Sequence, residues 1–304
     1  MMPVNTGPSP ISGHYAQQAF QLEVDSIVGF IRKKSPRAAR AIFLLDQYGY
    51  SSVPTMLVNK LIKQRPGSEV LLTFAVDAFL NYVSDKDDVT HKLLNKIGTP
   101  DVLRGRSIDE IKKNEKGWRL FIQACLYKDI VESCGAPYYT PFFIRSSKGH
   151  GDYWLLHLSQ RTRARDVMAR IHWEKNNYFI HYDGPGIDMF HMLGYLQDRD
   201  EGFTGQGSIG FYFDEPAQNS SIKAIFKQLP RLIYPDSVGM TFGELFSSTC
   251  NTTPASANVY RDALGKLIEY RELEVISQRG SKRRIASRIH DSDQVVPPRQ
   301  RHLF

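Results

Sequence analysis

The sequence has few of the residues and patterns that mark secreted, metal-binding or membrane proteins. Its 304 residues include three cysteines, and Cys125, Cys134 and Cys250 are too widely spaced for a disulfide framework or a zinc cluster. No apolar run approaches the roughly 18 residues that a membrane span needs. The first ten residues show no basic patch followed by an apolar stretch. We therefore expect a cytoplasmic protein with no membrane partner.

Several signatures of catalytic and cofactor sites are also missing. The sequence has no Gly-x-Ser-x-Gly elbow and no Gly-Lys-Ser/Thr phosphate loop, which leaves hydrolase and nucleotidase interpretations without support. The segment Gly205–Gly210 has the glycine spacing of a dinucleotide site, but strand-like residues follow where a helix is required, so we interpret it as a loop. The five histidines between His150 and His191 lack the spacing of metal ligands, and no metal site is predicted.

The charge of the chain favours an anionic partner only mildly. There are 39 basic and 32 acidic residues, which gives a net charge of +7 and an isoelectric point near 9.2. Many soluble enzymes share such an imbalance, so the distribution of charge has to decide. A hydrophobic content of 41% with 12% aromatics supports a substantial core.

Residues 41–79 contain the most informative pattern in the sequence. An apolar run from Ala41 ends in polar and aromatic residues, a helix is predicted over Val53–Gln64, and a second apolar strand over Glu69–Phe74. This order predicts two buried parallel strands joined by a crossover helix, as in half of a doubly wound sheet. Such strands deliver side chains to a crevice at their carboxyl ends.

The carboxyl ends of these two strands supply the candidate site residues. Asp46 and Tyr48 are the catalytic candidates. The substrate-binding candidates are Gln47, Gly49, Tyr50 and Asp77. The alternative is that Asp46 only caps the helix that begins near residue 53 and that the tyrosines pack in the core.

The rest of the chain suggests a mixed sheet followed by a separate C-terminal unit. Strands predicted at Pro141–Arg145 and Tyr153–Ser159 form a hairpin, so that a sheet that begins parallel ends antiparallel. We predict a disordered lead-in at residues 1–19, with a helix from Phe20, and the α/β domain at 20–175. A helical and irregular connector is predicted at 176–239 and the C-terminal unit at 240–304.

The C-terminal unit has the pattern of a winged helix-turn-helix. A capping box at Thr241–Glu244 opens a short helix, and Thr253 followed by proline predicts the N-cap of a longer helix over Ala255–Arg271. A hairpin is predicted from strands at Leu273–Ser277 and Arg284–Ile289. Short helix, longer helix and hairpin is the order found in winged helices.

The predicted hairpin is rich in cations, and no acidic residue lies between Glu274 and Asp291. Such side chains on a projecting wing suit contact with phosphate groups of DNA or RNA. The nucleic-acid-binding candidates are Asn258, Arg261, Arg279, Lys282, Arg283, Arg284 and Arg288. If DNA is the partner, the groove-facing positions are Thr252, Ser256, Asn258, Tyr260 and Arg261. The alternatives are a solvated charged loop or a docking module for protein, since the unit carries a net charge of only +3.

Three segments of the sequence resemble the three-Cys-motif partner protein family (TcmP). They are residues 44–54 with the Asp-Gln-Tyr-Gly block, residues 69–77, and residues 253–264. The resemblance runs from about Phe20 to the C-terminus. It implies a Rossmann-like domain of the class I methyltransferase type followed by a winged helix. It also implies a three-Cys-motif protein as a partner.

The resemblance gives the candidate residues at the first strand a role. Methyltransferases that act on amino groups carry an Asp/Asn-Pro-Pro-aromatic turn, and Asp46 and Tyr48 match its ends, whereas Gln47 and Gly49 depart from it. The family also implies S-adenosylmethionine as the cofactor. The glycine-rich loop and the acidic residue that would bind it have no counterpart before Ala41. We therefore expect only the distal half of the domain, with an exposed apolar sheet edge and face.

Two functions follow from these patterns. The first is a methyltransferase-like component that acts on or binds nucleic acid and is inactive alone. Another chain would complete its sheet, or its beginning has been lost. The second is a non-catalytic DNA-binding or partner-docking protein on a degenerate methyltransferase scaffold.

Overall fold

The structure is a computed structural model. It describes residues 13–34, 36, 40–47, 50–65, 67–83, 86–115, 118–145, 152–175, 178–180, 186–187, 210–235 and 238–298. Two hydrophobic cores organise these residues, one in an N-terminal α/β unit and one in a C-terminal unit. The glycine-rich segment at residues 205–210 lies outside the described residues except for Gly210. His150, His181 and His191 also lie outside them.

The α/β unit contains the four predicted strands and the predicted crossover helix, together with a helix at residues 76–82 that was not predicted. Its elements are α1 Gly13–Lys34, β1 Ala41–Leu45, α2 Thr55–Gln64, β2 Ser68–Phe74, α3 Val76–Tyr82, α4 Asp87–Ile97, α5 Ile108–Asn114, α6 Trp118–Cys134, β3 Tyr138–Arg145, β4 Asp152–Ser159 and α7 Thr162–Glu174. The first helix begins at Gly13, within the predicted lead-in and earlier than the expected start at Phe20.

The four strands of this unit form one mixed sheet in the order β1-β2-β4-β3. Strand β1 runs parallel to β2, with Ala41 opposite Ser68, and α2 is the crossover between them. Strand β4 lies antiparallel between β2 and β3. The mixed sheet is therefore as predicted, and β4 enters it between two strands that precede it in the chain.

Strand β1 lies at the edge of the sheet and is buried on one face only. Phe43 and Leu45 pack against the core, whereas Ile42 and Leu44 are 68% and 67% exposed. The prediction of a strand buried on both faces is wrong here, and the helix α7 packs mainly on β3 and β4. The exposure of Ile42 and Leu44 agrees with the expectation that this sheet has an exposed apolar edge and face.

The C-terminal unit has the element order of a winged helix-turn-helix. A small sheet of β5 Tyr178–Ile180 and β6 Gly210–Tyr212 precedes it. Its elements are α8 Glu215–Ile233, β7 Met240–Thr241, α9 Phe242–Thr249, a 3-10 turn at Cys250–Thr252, α10 Ala257–Glu269, β8 Glu274–Ile276, a 3-10 turn at Ala286–Arg288 and β9 Gln294–Val296. Its three strands form an antiparallel sheet in the order β7-β9-β8.

Helix α8 belongs to the winged-helix core. Its apolar face, with Ile225 and Leu229 fully buried, packs in the same cluster as Leu264 and Leu267 of α10. The stretch predicted as a connector thus supplies the first helix of the C-terminal unit. No helix among the residues described above is long and apolar enough to cross a membrane.

The local signals of the C-terminal unit are partly confirmed. The capping box is complete, since the Thr241 hydroxyl accepts from the Glu244 N–H at 3.1 Å and the Glu244 carboxylate accepts from the Thr241 N–H at 2.8 Å. The predicted N-cap at Thr253 is wrong, because α10 begins at Ala257 and the Thr253 hydroxyl accepts from the Ala255 N–H instead.

The predicted second strand of the hairpin is also misplaced. Residues 286–288 form a 3-10 turn, and β8 pairs with β9 rather than with residues 284–289. The segment between β8 and β9, residues 277–293, is called the wing below. A bridge between Ile276 and Lys282 closes its first turn.

Candidate nucleic-acid interface

The turn after β1 is held together by the side chain predicted to bind substrate. The buried Gln47 amide donates to the Thr73 carbonyl at 2.8 Å, and its oxygen accepts from the N–H groups of Ser52 and Val53 at 3.1 Å. The assignment of Gln47 to substrate binding is therefore wrong in this structure. Its polar atoms connect the ends of β1 and β2 to the segment that leads into α2.

The other described candidates of this region, at the carboxyl ends of β1 and β2, each have a partner of their own. The exposed Asp46 carboxylate accepts from the Thr73 hydroxyl at 2.8 Å. Tyr50 packs edge-on against Phe79 at 5.7 Å between ring centres, and burial raises its pKa. Asp77 pairs with Arg119 at 3.4 Å. Tyr48 and Gly49 lie outside the described residues.

The two described histidines of the predicted cluster are core residues. His157 lies 3.0 Å from the Glu69 carboxylate, and burial outweighs this partner and lowers the pKa of His157. Burial lowers the pKa of His172 to about 3. Within the part of the chain that the structure describes, no three potential ligands come together around a possible metal position.

Two clefts in the described part of the chain are not lined by the catalytic candidate Asp46. One, of about 750 Å³, is bounded by α6, β3 and the 3-10 turn at Asn251 and Thr252. The other, of about 650 Å³, lies between the start of β2 and the start of α7. Neither includes Asp46 or Asp77, so we assign no residues to S-adenosylmethionine there.

Two of the predicted phosphate-binding cations on the wing are committed to acidic partners. Arg283 pairs through two hydrogen bonds with Asp293, from Nε at 2.7 Å and from Nη2 at 3.0 Å. Lys282 pairs with Glu274 at 2.5 Å. Both ion pairs close the base of the wing, and phosphate binding by these two cations stays a prediction.

The Asp293 carboxylate accepts the hydrogen bonds that close the base of the wing. Burial alone would raise its pKa, but the hydrogen bonds from Arg283 and from the His290 N–H outweigh burial and lower it. A buried carboxylate with a charged donor and a backbone donor is strongly stabilised in its ionised form. Asp293 and Arg283 therefore fix the shape of the wing.

Arg261 of α10 also serves the wing and not a groove. Its guanidinium lies 4.7 Å from the centre of the Phe242 ring and donates to the Ile289 carbonyl at 3.0 Å. It donates further to Asp291 at 3.3 Å and to Asn258 at 3.2 Å. The prediction that Arg261 faces a groove is therefore wrong.

The side chains of the remaining arginines of the wing are exposed and available to contact a ligand. Arg279, Arg284 and Arg288 are exposed, and none of the three has a hydrogen-bond or ion-pair partner for its side chain among the described residues. Neighbours in sequence thus differ sharply, since Arg283 points to Asp293 and Arg284 points to solvent.

Of the five predicted groove-facing positions in and before α10, two are buried and two are half-buried. Ser256 is 4% exposed and Tyr260 is not exposed at all. The Tyr260 hydroxyl donates to Thr249 at 2.8 Å, and Thr252 is half-buried and donates to the Thr249 carbonyl. Asn258 alone of the five is exposed.

The element order and core of the C-terminal unit define a winged helix-turn-helix, a fold that commonly binds nucleic acid. A family model of the GMT-like wHTH domain matches residues 194–280. The match includes α8 to β8 and ends inside the wing, and it leaves the α/β unit outside. No curated protein and no solved structure matches the chain.

Proposed function

We propose that this protein binds nucleic acid through the wing of its C-terminal winged helix. The proposal rests on the three exposed arginines Arg279, Arg284 and Arg288, which have no acidic partner among the described residues, in a domain similar to the GMT-like wHTH family. The neighbouring Lys282 and Arg283 each form an ion pair with a carboxylate.

Guanidinium groups on a rigid projection suit phosphate oxygens. Each can donate two parallel hydrogen bonds to one phosphate, and each contact releases condensed counterions from the nucleic acid. The ion pair of Arg283 with Asp293 holds the wing in shape, so the free arginines are presented by an ordered segment and less entropy is lost on binding.

Fluorescence anisotropy with the full chain tests this proposal. Labelled duplex DNA, single-stranded DNA and RNA are titrated at 50 and 200 mM salt. We expect binding that weakens with salt and a loss of about tenfold or more in the triple variant Arg279→Ala, Arg284→Ala, Arg288→Ala.

A matched variant controls for net charge. Lys92, Lys96 and Lys113 are exposed on α4 and α5, and their replacement by alanine removes the same charge from the α/β unit. We expect less than a twofold loss for this variant. Equal losses in the two triple variants, or no loss in the wing variant, would show that the wing is not the contact surface.

A second candidate function is a methyltransferase-like component whose sheet is completed by another chain. It is favoured by the strand order, since a parallel pair followed by an antiparallel hairpin is the order of the distal half of such a sheet. The free edge of β1, with Ile42 and Leu44 exposed, is where an added strand would pair. In this proposal Asp46 and Tyr48 approach the methyl acceptor, and a three-Cys-motif protein is the expected partner.

Calorimetry with S-adenosylmethionine separates the two candidates. We expect no heat of binding with this chain alone and binding once a partner that supplies the missing strands is added. If binding fails with such a partner present, the enzymatic candidate is wrong, and the wing proposal is unaffected.

A further inference from the structure

Helix α7 of the α/β unit holds the amino end of α10. The Arg165 guanidinium donates to the carbonyls of Ala255 and Thr253, at 2.6 Å for the first. The Asp166 carboxylate accepts from the Ala257 N–H at 2.7 Å, and the Trp173 indole donates to the Pro254 carbonyl at 3.1 Å. The polar backbone groups that lead into α10 are therefore satisfied by another unit of the same chain.

These contacts leave the start of α10 inaccessible. Residues 253–257 are all buried, and so is Arg165. In a helix-turn-helix, the first residues of the second helix are those that contact base edges in the major groove. Here α7 covers these residues and lies where the DNA duplex would have to lie.

The wing covers a second face of α10. Arg261 donates to the Ile289 carbonyl and to Asp291 of the wing. One turn further, a Cβ on Gly265 would lie 2.8 Å from the Cβ of Ala286, so the glycine allows the wing to approach closely. The face of α10 that carries these two residues packs against the chain itself.

The face of α10 that remains open is poorly suited to a polyanion. Its exposed residues follow one another at helical spacing, and they are Asn258, Asp262, Lys266 and Glu269. Two carboxylates against one ammonium group give this face a net negative charge, which would repel phosphates.

We infer that the protein binds the nucleic-acid backbone through its wing and does not read base sequence with α10. This inference rests on the proposed function and specifies its partner as nucleic acid of any sequence. Backbone contacts supply affinity, whereas specificity needs contacts with base edges, and the one open face of α10 carries a net negative charge.

Affinities for many sequences test this inference with the full chain. Duplexes of equal length that are A·T-rich, G·C-rich or mixed are titrated next to a random pool, in the same buffer. We expect dissociation constants within about threefold of one another. The slope of log K against log salt should fall by roughly 0.9 for each arginine removed from the wing.

Two substitutions on the open face of α10 test directly whether this helix contacts the nucleic acid. Asn258→Ala and Asp262→Ala are both at exposed positions, so the fold should persist, and we expect affinity changes below about twofold. If α10 lay against the duplex, removal of the Asp262 charge would strengthen binding several-fold and increase the salt slope.

The outcomes distinguish this inference from the proposed function. Selection from the random pool of a sequence bound about 100-fold more tightly, with the preference lost in Asn258→Ala, would overturn the inference and leave nucleic-acid binding intact. Failure of every nucleic acid to bind at 50 mM salt would overturn the proposed function itself.

Discussion

The turn after β1 and the wing are both polar segments next to a strand, yet they use their polar side chains in opposite ways. In the turn, Gln47 is buried. Its amide group donates to the Thr73 carbonyl and accepts from the backbone N–H groups that lead into α2. In the wing, Arg283 is paired and Arg284 faces solvent. A polar residue at the end of a strand is therefore available for function only where the fold does not offer it a closer partner.

The largest expected effect comes from the turn. Gln47→Leu leaves the Ser52 and Val53 N–H groups without their acceptor, and we expect a loss of about 3 kcal/mol in the free energy of unfolding. Chemical denaturation measures it. Asp46→Asn, at an exposed position, should cost less than about 0.5 kcal/mol. Comparable losses for the two variants would remove the distinction between these neighbours.

At the wing, the largest stability effect is expected at Asp293. Asp293→Asn weakens the paired hydrogen bonds from Arg283, and we expect a loss of about 2 kcal/mol by denaturation, with weaker nucleic-acid binding as a consequence. Arg284→Ala should weaken binding at unchanged stability. A stability loss in Arg284→Ala would contradict the assignment of that residue to solvent.

Acid should affect the two units in different pH ranges. The pKa of His172 is about 3 in the folded chain, below its usual value of about 6.5. The unfolded chain then binds more protons between these values, so stability falls as pH drops below about 6.5, by up to roughly 1.4 kcal/mol for each pH unit. The lowered pKa of Asp293 affects stability only at lower pH. The stabilisation of the folded chain by the ionised carboxylate is lost as pH falls below about 4.

Denaturation at pH 7, 5.5 and 4.5 measures this dependence. Since His172 packs against Phe142 and Phe213, His172→Phe removes one titrating group and keeps an aromatic ring there. It should reduce the slope of the profile above pH 4.5, and the slope that remains comes from His157, whose pKa burial also lowers. A profile of His172→Phe as steep as that of the unmodified chain would assign the acid sensitivity to other groups.

The smallest effect is expected at the open edge of the sheet. Ile42→Thr combined with Leu44→Thr changes side chains that are already exposed, so stability should change by less than about 0.5 kcal/mol, as judged by thermal unfolding. Phe43→Ala, on the packed face, should cost about 2 kcal/mol, because this side chain is only half-buried. A large loss in the double variant would mean that the edge is covered in solution.

The sequence predicted the strands and the crossover helix of the α/β unit, and the winged-helix order, because apolar periodicity and capping residues are local signals. The parallel pair of β1 and β2, the hairpin and the Thr241 capping box are examples. The start of α10 and the pairing of β8 with β9 were missed, since both depend on contacts distant in the chain.

The candidate site could be predicted only in part for the same reason. A run of basic residues indicates a charged segment, and Arg279, Arg284 and Arg288 fit that reading. The pairing of Arg283 with Asp293 depends on how the wing folds back, and the burial of Ser256 depends on α7. The resemblance to the three-Cys-motif partner family stays a hypothesis for the α/β unit.

The cap of α10 has a consequence for local motion. Because Asp166 on α7 accepts from the Ala257 N–H, and the Ser256 side chain makes no capping hydrogen bond, the first turn of α10 opens only when α7 moves away. Amide hydrogen exchange at Ala257 therefore reports the separation of the two units. In Asp166→Ala this amide should exchange faster, while amides near Leu267 keep the protection of the winged-helix core.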